Sequence, residues 1–212
     1  MVKIYVIYFS SHLIYKKVDK QNPFCGYHFM SFIEKSVLMS ANDIKKTLER
    51  LAQELIEYNH GGKQLALVGI RRRGVPLAKR LSLILQNTIK DVNIPVGYLD
   101  INLYRDDLST IGSQPIVQST EIDFQMGEKI VVLVDDVLYT GRTIRAAMDA
   151  LVDYGRPKAV QLCVLIDRGH RELPIQANFV GKTVEIFDTE MVEVQLEEID
   201  QREGVILVEK AS

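Results

Sequence analysis

Two adjacent carboxylates, Asp135 and Asp136, follow the apolar run VVLV and precede the residues VLYTGRT. Neighbouring acids repel, so such a pair needs donors or a cation to compensate it. The vicinal hydroxyls of a ribose are suitable donors, and a charge-assisted hydrogen bond contributes about 1.5–3 kcal/mol. Next come Val137, Leu138, Tyr139, Thr140, Gly141, Arg142 and Thr143, which supply backbone N–H groups, two threonine hydroxyls and a glycine for a tight turn. A helix starting there aims its N-terminus at the turn, and its dipole favours an anion by about 0.3–2 kcal/mol. Acids for a diol, then a cradle for a phosphate, describe a site for a ribose 5-phosphate group. The plainer alternative is a surface turn with acids near a helix start. The full VDDVLYTGRT after a buried strand outweighs it.

Three further clusters carry charge. VGIRRRG places Arg71, Arg72 and Arg73 between a strand and a helix, and arginine forks suit di-anionic oxygens. YRDDLST, with Tyr104, Arg105, Asp106, Asp107 and Ser109, opens a long polar connection running to Gly127. That segment reads either as a loop closing over substrate and excluding water or as a charged connection. DRGHRELP holds Arg168, His170 and Arg171, and His170 reads as a surface or binding group rather than a general base.

Other chemistries find no pattern. Gly181-Lys182-Thr183 imitates the end of a Walker A motif, but Gln176 stands where the first glycine is required, so GKT reads as a turn. No GxGxxG follows a strand, and no HExxH or Ser-His-Asp ordering is present. Isolated histidines, with Cys25 and Cys163 far apart, predict no metal held by protein ligands alone and no disulfide framework.

The elements that must position these residues are legible from periodicity. Ser40 caps a helix that runs through about Tyr58, with Asp43 in its first turn and Ile44, Leu48, Leu51, Leu55 and Ile56 at helical spacing. LALVGI, VGYLDINLY, KIVVLVDD and AVQLCVLID read as strands. Helices are expected over 76–85 and 143–154, and short strands and turns after Arg168, ending in GVILVEK. Alternating strands and helices with nearly continuous apolar strands predict an α/β fold with a mostly parallel sheet covered on both faces. Ligands in such sheets sit beyond the carboxyl ends of the strands, where all four charged clusters fall.

Composition bounds the rest. The 212 residues suit one domain able to bury roughly 70% of its unfolded surface. A net charge of −2 gives no global drive toward nucleic acid. No apolar run reaches the roughly 18 residues that span a bilayer, so no membrane partner and a reducing cytoplasm are expected. Residues 1–34 read as an N-terminal extension, or as the product of a start codon chosen too far upstream; Met30 and Met39 offer later starts. Residues 35–212 read as the domain proper, with a small hood from about residue 168.

VVLVDDVLYTGRT resembles the phosphoribosyl-diphosphate (PRPP) motif of the type I phosphoribosyltransferase family. VGIRRRG, DINLYRDDLS, GRPKAVQLCVLIDRGHRELPI and VQLEEID extend the resemblance from about Lys35 to Lys210, toward the branch that joins uracil phosphoribosyltransfer to regulation of pyrimidine genes. The resemblance implies a central parallel sheet with a small hood of short strands, and a dimer or higher assembly. It implies that Asp135 and Asp136 hold the ribose hydroxyls and that residues 137–143 wrap the 5-phosphate. Arg72 and Arg73 fall in its pyrophosphate loop, Tyr104–Ser109 in its flexible loop, and Arg168 where hood and base pocket meet. Asp136 and Arg105 become the candidate catalytic residues, with Asp136 as proton acceptor. Uracil, PRPP and UMP are the implied ligands, with Mg²⁺ accompanying PRPP. The branch's second activity is binding the leader RNA of a pyrimidine operon through a basic face. Here Arg50, His170 and Arg171 remain, but Glu49, Gln53 and Tyr58 thin that face, which ranks enzyme above regulator.

Overall fold

The computed structural model describes residues 3–9, 12–18, 29–89, 91–101 and 120–210. In chain order the elements begin with β1 (Lys3–Phe9), β2 (His12–Val18), β3 (Phe29–Ser40), α1 (Ala41–Tyr58), β4 (Leu65–Ile70), α2 (Gly74–Thr88) and β5 (Val96–Leu99). They continue with β6 (Ile130–Leu138), α3 (Arg142–Val152), β7 (Ala159–Asp167), β8 (Phe179–Thr183), β9 (Glu190–Gln195), α4 (Glu197–Asp200) and β10 (Gly204–Lys210).

The expected parallel sheet is present, in the order β5-β4-β6-β7-β8, with every neighbouring pair parallel. Its strands alternate between two cores, as a side-chain period of two requires. Leu65, Leu67, Val132, Val134, Cys163 and Leu165 face one core with α1 and α2. Val68, Ile70, Val131, Leu133, Leu162 and Val164 face the other with α3. Covering both faces accounts for the unbroken apolar runs that mark these strands in the sequence. Burial pushes the Cys163 thiol up to about 12, so it stays protonated and acts as a small apolar filler.

Helix α1 forms for the reasons read from its sequence. Ile44, Leu48, Leu51 and Leu55 are buried along one face. The Ser40 hydroxyl accepts the Asp43 N–H at 3.3 Å, and the Asp43 carboxylate accepts the Ser40 N–H at 2.9 Å. This reciprocal box satisfies two donors that would otherwise lack intrahelical partners.

A second sheet is antiparallel, in the order β1-β2-β3-β10-β9. Strands from both ends of the chain build it: β3 enters α1 directly, and β10 pairs with β3 from Gly204–Ser40 to Lys210–Phe32. Val194, Leu196 and Val205 turn into the core shared by α1 and α2, which fixes this sheet against the parallel one. The segment after Arg168 therefore contributes to both sheets, with β8 in the parallel one.

Several boundaries differ from the periodicity. Gly181-Lys182-Thr183 is not a turn but the end of β8, aligned with β7 through Ile166–Lys182 and Asp167–Thr183. The strand expected through VGYLDINLY spans Val96–Leu99 among the described residues. Helix α2 starts two residues before Pro76, and the short α4 had no apolar repeat to announce it. No helix among the described residues is long and apolar enough to cross a membrane.

Candidate active site

The neighbouring strands β4 and β6 send their helices to opposite faces of the sheet. Leu77, Ala78, Leu81 and Leu85 of α2 enter one core, whereas Ile144, Ala147, Ala150 and Leu151 of α3 enter the other. A crevice opens between strand ends where connections diverge in this way. Strand β6 pairs with β4 only as far as Val134–Gly69, but continues beside β7 to Leu138–Asp167. Residues 135–138 thus form one wall of the crevice, and the turn 71–73 forms the other.

The acids are part of that wall rather than of a turn. Asp135 is 6% exposed and Asp136 is half-buried. The Asp135 carboxylate accepts the Asp136 N–H at 3.0 Å, and the Asp136 carboxylate accepts the Val137 N–H at 3.0 Å. These bonds hold both carboxylates by local backbone and leave lone pairs for further donors. The turn proper covers 139–141. Gly141 has φ 92, in the left-handed region that favours glycine, and it is the N-cap of α3. The Thr140 hydroxyl accepts the Arg142 N–H at 3.3 Å, and α3 then begins with its N-terminus against the turn.

Across the crevice, Gly74 opens α2 in contact with β6. A Cβ on Gly74 would lie 2.2 Å from the Val134 carbonyl oxygen, so only glycine lets the arginine loop approach the acids this closely. The Arg71–Arg72 peptide is cis. Arg73 forms a two-pronged ion pair with Asp200 of α4, at 2.8 and 3.2 Å. Burial alone would lower its affinity for the proton, but Asp200, then Asp136 and Glu193, outweigh this and hold it above its ordinary value. Arg71 pairs with Glu121 at 3.0 Å and stands over the Tyr98 ring, while Arg72 is exposed. A cavity of about 350 Å³ lies beside this loop, lined by Arg71, Arg72, Val75, Pro76, Lys79, Glu198 and Ile199. It flanks α2, and neither acid of the pair lines it.

The segment after β7 packs against the first of these walls. Arg168 is 7% exposed, its guanidinium 3.9 Å from the centre of the Tyr139 ring, and its Nε has no hydrogen-bond partner among the described residues. His170 is exposed, with Nε2 3.1 Å from the Ile186 carbonyl and Nδ1 3.3 Å from Asp188. Arg171 donates to the carbonyls of Tyr139, Gly169 and Ile175 and to Asp167. Arg50 pairs with Glu54 and donates to the carbonyls of Val180 and Gly181.

Arg73 thus feels the charge of Asp136 and Arg168 packs on Tyr139 of the 137–143 segment, while Arg72 lines the cavity beside α2 and Arg50 lies on α1 beside β8. Tyr104, Arg105, Asp106, Asp107 and Ser109 fall outside the described residues. Sequence reasoning missed the partners. Asp200, Glu121 and Glu172 hold arginines of this region; Asp200 lies in VQLEEID and Glu172 in DRGHRELP, but neither motif announces its partner, and Glu121 lies in no motif. Among the described residues, no three His, Cys, Asp or Glu side chains cluster as a metal site.

A parallel sheet with an acid-then-phosphate turn on one strand and an arginine loop on the next defines a phosphoribosyl-transfer architecture. The family model of the phosphoribosyl transferase domain matches residues 38–199, and the chain belongs to that family. Relatives that it matches over most of its length carry the name Bifunctional protein PyrR. That of Pelotomaculum thermopropionicum is 57% identical over 181 residues, covering 84% of this chain and 98% of the relative. That of Alkaliphilus metalliredigens is 58% identical over 170 residues, covering 80% and 93%. Among solved structures, a hypoxanthine phosphoribosyltransferase from Staphylococcus aureus superposes with a TM-score of 0.60 at 21% identity, covering 84% of this chain and 93% of the other. A Trypanosoma cruzi hypoxanthine phosphoribosyl transferase gives 0.63 at 16%, covering 84% and 92%. These two likenesses show the fold.

Proposed function

We propose that this protein transfers the phosphoribosyl group of PRPP to uracil, giving UMP and pyrophosphate. The observation that carries the reading is the pairing, across one crevice, of the Asp135–Thr143 wall with the arginine loop 71–73. A ligand with a 5-phosphate, a diol and a diphosphate has its three groups matched by residues 137–143, by Asp135 and Asp136, and by the loop arginines.

In the reaction the uracil nitrogen bonds to the anomeric carbon as the bond from that carbon to the pyrophosphate oxygen breaks. Pyrophosphate leaves with the bonding pair, and the nitrogen's proton goes to Asp136 or to water. Holding the substrate at both ends orients the anomeric carbon, and the two carboxylates favour the cationic character the sugar acquires. Mg²⁺ would accompany the diphosphate in this reading. A cation that keeps substrate oxygens and water as most of its ligands fits a crevice where Asp200 and Glu121 are engaged by arginines, and Asp135 and Asp136 would be the carboxylates beside it. When bound it neutralises charge on the leaving group. The loop bearing Tyr104, Arg105, Asp106, Asp107 and Ser109 closes over the substrate in this reading. The protein acts in the cytoplasm, as a dimer or larger assembly.

A second reading is favoured by the word "Bifunctional" in the relatives' names: binding of a pyrimidine operon's leader RNA under control of uridine nucleotides. His170 is exposed and suits such a surface. Arg50 and Arg171 are engaged by backbone carbonyls and acids, which leaves fewer cations for phosphates and ranks this activity second.

The test is a panel of bases with purified protein, PRPP and Mg²⁺. UMP formed from uracil, with no product from hypoxanthine, guanine or orotate, is the expected outcome. Product from a different base alone, or no product at all, rejects the assignment.

A further inference from the structure

The segment 167–175 is built onto the phosphate turn more closely than a surface loop requires. Backbone N–H groups of Glu172 and Leu173 both donate to the Thr140 carbonyl, at 3.0 and 3.1 Å, and the Arg168 N–H donates to Leu138 at 3.1 Å. A Cβ on Gly141 would meet Leu173 and Ile175 side chains at 3.4 Å, so the two segments touch at the αL residue itself. Arg142, the first residue of α3, pairs with Glu172 at 2.7 Å.

Arg171 ties these contacts together. Its Nη1 donates to the Tyr139 carbonyl at 2.9 Å and to Gly169 at 3.1 Å, its Nε to Ile175 at 3.0 Å, and its Nη2 to Asp167 at 2.6 Å. The other Asp167 oxygen accepts the Gly169 N–H at 2.9 Å. One planar guanidinium thus joins the turn after β6, the end of β7 and both ends of the loop that follows β7. A flexible ammonium cannot reproduce that fork. The Arg171 side chain is 22% exposed and that of Asp167 is 16% exposed, so water competes weakly for these bonds.

We infer that Arg171 is a positioning residue for phosphoribosyl binding: it holds the 139–143 turn in the shape that receives the 5-phosphate, and it does not itself contact the phosphoribosyl group. The inference rests on the phosphoribosyl reading above. The 5-phosphate stays bound from substrate to product, so loss of the clamp removes binding that ground and transition states share. Such a loss appears in KM rather than kcat.

The experiment compares wild type, Arg171→Gln and Arg171→Lys. It measures steady-state kinetics, ribose 5-phosphate binding by calorimetry, and amide hydrogen exchange. In Arg171→Gln the KM for PRPP and the Kd for ribose 5-phosphate should rise about tenfold, the effect of losing charge-assisted bonds. Values of kcat and of KM for uracil should stay within about twofold. Exchange should accelerate over 139–143 while α1 stays protected. Arg171→Lys, which keeps the charge, should recover part of the affinity and supplies the test if the glutamine variant does not fold. Unchanged phosphate affinity and unchanged exchange in the turn would overturn the inference, as would an equal rise in both KM values with a fall in kcat. A wild-type protein that neither makes UMP nor binds ribose 5-phosphate overturns the phosphoribosyl reading instead, and the exchange data then still report whether the clamp orders the turn.

Discussion

The acid pair and the arginine loop that face each other across the crevice are held in opposite ways. At the end of β6, Asp135 and Asp136 are fixed by N–H groups one residue away, and Thr140 takes the N–H of Arg142. At the end of β4, the arginines are fixed by acids distant in the chain: Arg73 by Asp200, 127 positions on, and Arg71 by Glu121, 50 positions on. Local hydrogen bonds orient the two aspartates within their own short sequence, and only the turn beyond them leans on the distant Arg171, Glu172 and Leu173. Long-range ion pairs make the arginine loop a property of the assembled fold, because Asp200 reaches Arg73 only after the small sheet docks against α1 and α2.

The largest effect should come from breaking the local wall. Replacing Asp135 and Asp136 by Asn keeps shape but removes the charge that favours a cationic sugar. Turnover of PRPP and uracil should fall about a hundredfold or more, as when a charge-stabilising donor is removed elsewhere. The fold, read by circular dichroism and thermal midpoint, should remain. Turnover within a few-fold of wild type would mean that the acids do not hold the ribose.

A smaller effect should follow on the other side. Asp200→Asn leaves Arg73 with a neutral partner in a site that is only partly exposed, a loss of about 1–2 kcal/mol. For a chain of this size each kcal/mol shifts the thermal midpoint by roughly 2–4 °C. Calorimetry should therefore register the change clearly, while kinetics shows a several-fold rise in KM for PRPP. If Asp200→Asn abolished turnover while leaving the midpoint untouched, the ion pair would be chemical rather than architectural, and the contrast between the walls would fail.

The same contrast explains what could be read in advance. Helix α1 was legible because Ser40, Asp43 and the apolar spacing all lie within one short segment. Strands β4, β7 and β10 were legible because each is an apolar run bounded by charge or glycine. The acid-phosphate turn was legible for the same local reason, although β6 continues past the aspartates to Leu138, where β7 still offers partners. GKT misled because its glycine sits in β8, where pairing with β7 overrides the local turn preference. The small sheet was illegible in its true extent: β3 and β10 are joined by long-range pairing, which no local period encodes. Arg171 reads from the sequence as part of a basic RNA-binding face, and only the fold reveals the carbonyls it serves.

The most direct test of the two-walled site is a crystal structure of the protein with UMP. The ribose 2′- and 3′-hydroxyls should donate to the carboxylates of Asp135 and Asp136, and the phosphate should lie against the N–H groups of residues 137–143 at the start of α3. The loop arginines should face the opposite side of the anomeric carbon. UMP bound away from that turn, or with its phosphate on the arginine loop, would contradict the account.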